Sequence, residues 1–128
     1  MMKQSTTLGM TFIVKEGWTT DHTIKLIETL ASILERVPRL EAIHRYTKFD
    51  QGWRIELASY WPISPTETRY DQLLRYCQAL APHWITLHGA DDDLPLEIIY
   101  DEKQHEERWN HSIMSWARWC HWQEIINL

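Results

Sequence analysis

The sequence predicts a single α+β domain over residues 1–128, in which two helices cover one antiparallel sheet. Three observations carry this. The chain has 128 residues, 44% hydrophobic and 24% charged, the balance of one globular core. Two segments repeat apolar residues at helical spacing, and each runs into a proline, Pro38 or Pro82. Around them lie short runs that alternate apolar with polar side chains or are rich in β-branched residues.

LGMTFIVKE (8–16) reads as a first strand, with Phe12, Ile13 and Val14 as its β-favouring run and Gly17 closing it. In TTDHTIKLIETLASILERVP, the residues Ile24, Ile27, Leu30, Ala31 and Leu34 share a helical face. Thr20 or Asp21 can cap its first amides, which gives a helix over about 22–36. LEAIHRYT and WRIELASYW then alternate as two strands, and KFDQG between them allows an antiparallel hairpin. Ser64-Pro65-Thr66-Glu67 has the form of a capping box with proline at the first helical position, and the helix it opens runs to about Ala81. HWITLH (83–88) and LPLEIIY (94–100) follow as strands, with Pro95 favouring an edge position or a strand start. This is the β-α-β-β-α-β order of the ferredoxin-like arrangement, plus an extra strand.

The last segment predicts a Trp-rich C-terminal helix over 103–126. WNHSIMSWARWCHWQ (109–123) holds four of the eight tryptophans, and Trp109, Ile113, Trp116 and Cys120 fall on one helical stripe widened by Trp119, Trp122 and Ile126. A strand reading also gives Trp116, Cys120 and Trp122 one parity, but Arg118 interrupts that face and nearby Ala, Glu and Gln prefer helix.

The net charge of −5 is unevenly placed. Residues 1–60 sum to +1 and 61–128 to −6, while 91–107 alone carries eight carboxylates against Lys103. Such a field disfavours nucleic acid and acidic membrane and steers a basic partner inward. The start of the chain has only a short apolar run ending at Lys15, without a cleavage site, and no segment approaches eighteen apolar residues, so a cytoplasmic chain is expected. Two separated cysteines, Cys77 and Cys120, read as reduced and buried.

No stretch carries a catalytic signature. Cys120 and His121 are adjacent and diverge, and His105 and His111 do not share a helical face, so the spacing calls for no zinc and no other cofactor. Asp91, Asp92 and Asp93 are contiguous, whereas a calcium loop alternates its ligands so that they converge. Cys77 with His83, His88 or His44 makes a nucleophile and base only if the fold brings them together, and Cys77 lies on the face expected to be buried.

What remains is binding. The small size, the α+β order and the acidic run ADDDLPLEIIYDEKQHEE beside WNHSIMSWARW resemble, in general character, the small bacterial immunity proteins made against secreted toxins, including those of contact-dependent growth inhibition systems. The resemblance implies one cognate toxin, a basic nuclease, inhibited by covering its active site or its substrate-binding surface. On the charge and aromatic pattern, the expected contact residues are Asp91, Asp92, Asp93, Glu97, Asp101, Glu102, Glu106 and Trp109. Two alternatives belong to other classes: a small hydrolase or isomerase using His44, Tyr46, Glu56 or Tyr60 on a sheet face, and a homodimer joined through the terminal tryptophans.

Overall fold

Alternation in the first strand places Leu8, Met10, Phe12 and Val14 on one face, each about 1% exposed, and the core is built on that face. The computed structural model describes residues 5–46, 48, 52–61, 66–89, 95–101 and 109–127. Along the chain run β1 (Ser5–Val14), α1 (Thr20–Leu34), β2 (Arg39–Tyr46), β3 (Gly52–Tyr60), α2 (Arg69–Leu80), β4 (Ile85–His88), β5 (Glu97–Asp101), a short 3-10 turn (Ser112–Trp116) and β6 (Ala117–Asn127). The strands form one sheet in the order β2-β3-β1-β6-β5-β4, with every neighbouring pair antiparallel.

The α+β class and the two helices agree with the sequence reading, but the sheet order is not ferredoxin-like. In that arrangement the strand after the second helix returns beside the first strand. Here α2 carries the chain from β3 past β1, β6 and β5 to the opposite edge, and β4, β5 and β6 then step back inward. The place beside β1 belongs to the last strand, and two strands rather than one lie beyond the six-element order.

Over the described residues 109–126 the expected C-terminal helix does not form: after the 3-10 turn, residues 117–127 form β6, and 103–108 lie outside the described residues. Arg118 was the obstacle to a strand, and a bulge removes it. Ile13 pairs with Trp119 and Val14 with Ala117, so Arg118 is the extra residue and Ala117 recovers the core face. Beyond the bulge the parity is clean. Cys120 and Trp122 are fully buried, while Trp119, His121, Gln123 and Ile125 point to the other face. Central placement outweighs the helix propensity of Ala, Glu and Gln because residues 119–123 of β6 are paired on both sides, with β1 and with β5.

Both helices lie on the Leu8 face. Leu26, Leu30 and Leu34 of α1 and Leu73, Cys77 and Leu80 of α2 join Met10, Phe12, Ile55, Leu57, Ile98 and Trp122 in one core, where each buried leucine contributes about 1.5–3 kcal/mol. The cap of α1 is Thr19, one residue earlier than expected, and His22 takes the role usually held by Glu, its Nδ1 accepting from the Thr19 amide at 2.9 Å. The second helix starts at Arg69, later than the Ser64-Pro65 signal implies. Thr68 caps it, accepting from the Asp71 amide at 3.0 Å, and Glu67 holds Arg75 through two hydrogen bonds of 2.8 and 3.1 Å. Ser64 and Pro65 lie outside the described residues. Asn110 closes the other end of α2 by donating to the Leu80 and Gln78 carbonyls at 2.6 and 2.7 Å.

Two positions expose the backbone constraints. Glu35 ends α1 in the left-handed region (φ 61°, ψ 27°), which glycine enters without a Cβ penalty. Gly52 starts β3 where a Cβ would collide with the Val14 carbonyl oxygen, so close approach rather than turn flexibility requires glycine there. Glu35→Gly is therefore expected to raise stability by about 0.5–1 kcal/mol. Gly52→Ala should lower it by about 1–3 kcal/mol. Both are read from urea midpoints at unchanged m. A destabilised Glu35→Gly variant would show instead that the Glu35 side chain holds this end of the helix.

Candidate functional site

Among the described residues, no helix lies on the second face of the sheet. Cross-strand register orders its side chains into rows: Tyr60-Thr7-Ile125; Ala58-Gly9-Gln123-Glu97; Glu56-Thr11-His121-Ile99-Ile85; and Arg54-Ile13-Trp119-Asp101. Ile13 and Ala58 are buried here yet belong to no part of the main core, which confirms that the face is separate. Tyr60 is 56% exposed and Ile125 41%, and they flank Thr7 as an apolar strip on the surface.

The acidic run and the tryptophan-rich run, neighbours in sequence, meet on this face. Antiparallel pairing sets Glu97, Ile99 and Asp101 of β5 against Gln123, His121 and Trp119 of β6. Trp119 stacks on His121 with ring centroids 5.6 Å apart. Glu97 lies between two imidazoles, with His121 Nε2 3.2 Å from Oε1 and His88 Nε2 3.5 Å from Oε2. His121 Nε2 is shut off from solvent and has no well-aligned hydrogen-bond acceptor among the described residues, so its approach to Glu97 is a charge contact at a poor angle.

Of the expected contact residues, Glu97 and Asp101 stand on this face. Trp109 is half-buried against the helix-side core. Asp91, Asp92, Asp93, Glu102 and Glu106 lie outside the described residues. Trp119, His121, Gln123 and Ile125 were missed because a helix was expected where β6 runs, and Ile99, on an expected strand, because the selection there followed charge. Period-two parity from Cys120 to Glu124 was the signal that could have found them.

The chemical alternatives separate by face. Cys77 and Cys120 are fully buried on the helix side, whereas His44 and His88 lie on the open side, so neither of these two histidines pairs with a cysteine. Burial pushes both thiols well above the ordinary range, and the neighbouring Cys120 adds to the effect at Cys77. Cys120 and His121 point to opposite faces, and the described residues contain no group of three or more His, Cys, Asp or Glu that could hold a metal ion. His44 and Glu56 do meet, at 3.4 Å, with Arg54 on the same carboxylate at 3.1 Å. They form an exposed charge lattice on β2 and β3. A shallow crevice too tight for a water molecule lies elsewhere, between α2 and the β4-β5 pair, lined by Tyr70, Leu74, Thr86, His88 and Glu97.

The helix side holds one ion pair that positions β6. Arg69, the first residue of α2, reaches Glu124 at 3.1 Å, and the Glu124 side chain is fully buried.

No helix among the described residues is long and apolar enough to cross a membrane. No protein-family model matches this chain, and no curated protein or solved structure matches it either.

The thiols give a pH signature. Their pKa values are raised in the folded state, so the stability they contribute is complete below the ordinary thiol range and is lost as pH rises above it. Between pH 8 and 10 the unfolding free energy from urea titration should fall by up to about 1.4 kcal/mol per pH unit per thiol, and both thiols should react with a disulfide reagent only as fast as the chain unfolds. Fast native-state labelling would contradict the assigned burial.

Proposed function

We propose that this chain is a binding protein that neutralises a cognate toxin, a basic nuclease, by covering its active site or substrate-binding surface. The observation that carries the reading is the β5-β6 pairing, which aligns Glu97 and Asp101 with Trp119 on the face opposite the two described helices. The chain entering and leaving β5 is the acidic run itself, so steering charge and an aromatic anchor adjoin one another. Size also supports it. Six strands spaced about 4.8 Å apart and eight residues rising about 3.3 Å each give a face of roughly 600 Å². A standard complex uses about 800 Å² per partner.

On this reading the carboxylates set the rate of encounter and Trp119 sets the rate of release. A nuclease binds phosphates with lysines and arginines, and an acidic surface seated on those side chains excludes the substrate.

The test begins with capture of the partner from the source organism by the tagged chain and its identification by mass spectrometry. The partner should be basic, and its nuclease activity should be lost in the complex. Charge reversal at Asp92, Asp93 and Glu97 should slow association at low salt and matter less at high salt. Trp119→Ala should weaken binding by roughly thirtyfold through faster dissociation. Normal binding and protection by both variants would remove this face and the acidic run from the interface.

A further inference from the structure

Glu97 is the first residue of β5 on its open face, and it is the side chain on which two histidines converge from both neighbouring strands. His88 approaches from β4 at 3.5 Å and His121 from β6 at 3.2 Å, each through Nε2 and each to a different carboxylate oxygen. The side chains of Glu97, His121 and His88 are 28%, 20% and 58% exposed, so the group is open to a partner yet held by the sheet. Imidazole is the side chain that changes charge between about pH 5 and 8.

We propose that His88, Glu97 and His121 form a pH-dependent charge element that controls docking of a basic partner surface on the β5-β6 face. The inference rests on the docking reading above and adds its regulation. With both imidazoles neutral, the three side chains sum to −1 and Glu97 presents its carboxylate to a lysine or arginine. With both protonated, the sum is +1, and the carboxylate is held by its own neighbours. A cationic partner then meets repulsion where it met attraction.

The surroundings set the direction of the effect. On β5, Asp101 shares this face two pairs away, opposite Trp119. From β3, Glu56 lies in the His121 row beyond Thr11, and it is engaged by His44 and Arg54. From the helix layer, Tyr70 hydrogen-bonds Thr86 at 3.1 Å beside His88. Glu97 is therefore the nearest described carboxylate to both imidazoles, and the partner cation and the two protons compete for it.

The experiment measures binding of a nona-arginine peptide to the full chain by calorimetry at pH 8.0 and 5.5, at fixed ionic strength. The wild-type chain should bind roughly three- to tenfold more weakly at pH 5.5. The His88→Gln/His121→Gln chain keeps the other five histidines and should lose most of that difference. His88→Gln alone, at an exposed edge position, should lose about half and serves as the reference if the double variant folds poorly. Glu97→Gln should bind more weakly than the wild type at pH 8.0 and more weakly still at pH 5.5, because the two imidazoles add two positive charges whether or not the carboxylate is present. Full wild-type pH dependence in either histidine variant would overturn the proposal, as would unchanged binding by Glu97→Gln at pH 8.0. These outcomes differ from failure of the docking reading, in which the acidic and Trp119 variants still bind the captured toxin at any pH.

Discussion

The pairing of β6 with β1 is the contact on which the rest of the molecule depends. It joins the two halves of the sheet, β2-β3-β1 on one side and β6-β5-β4 on the other, through ten aligned residue pairs. The two strands are separated by over a hundred residues, so their meeting is the most non-local event in the fold and has to follow or accompany assembly of the local hairpins. Once made, it buries Trp122 against Phe12 and Trp84, with ring centroids 6.4 and 5.8 Å away, and sets Cys120 between the helices and the sheet. The bulge at Arg118 is the local adjustment that lets a charged residue sit in this strand without reversing the faces that follow.

The same pairing makes the open face. A strand has two faces, and a central strand paired on both sides commits alternate residues to each with no intermediate choice. Trp119 is on the surface because Trp122 is in the core, and Glu97 faces outward because Ile98 packs against Trp122. The helix layer fills one side with aliphatic and aromatic side chains and leaves the other with carboxylates, imidazoles, an indole and a few aliphatic groups. The charge asymmetry of the chain thereby becomes a spatial one. The β5 half of this face carries Glu97 and Asp101, and the β2-β3 half carries Arg54 and His44 around Glu56.

Much of the fold was legible before the structure. Both helices were readable from apolar spacing and terminal prolines, because α1 and α2 are amphipathic surface helices whose period is set locally. The β2-β3 hairpin was readable from alternation. The capping details were less so: Thr19 and Thr68 serve where Thr20 or Asp21 and Ser64 were expected, since several hydroxyl and carboxyl residues compete at each start. The candidate site was half legible. Glu97 and Asp101 were identified from charge, while Trp119 and His121 were hidden by the helical reading of β6. A bulge breaks parity in sequence without breaking the strand in space, and a four-tryptophan segment satisfies both periods.

The sequence by itself determined the composition of the two layers, the amphipathic helices, the placement of acidic charge around β5 and the absence of converging ligands at Cys120 and His121. Only the tertiary structure decided that the last strand inserts beside the first, and therefore which tryptophans are core and which are surface. The physical reason is that helix and hairpin signals come from neighbours in the chain. Strand order comes from which distant edges bury the most apolar area while satisfying every backbone hydrogen bond, and no window of sequence contains both edges.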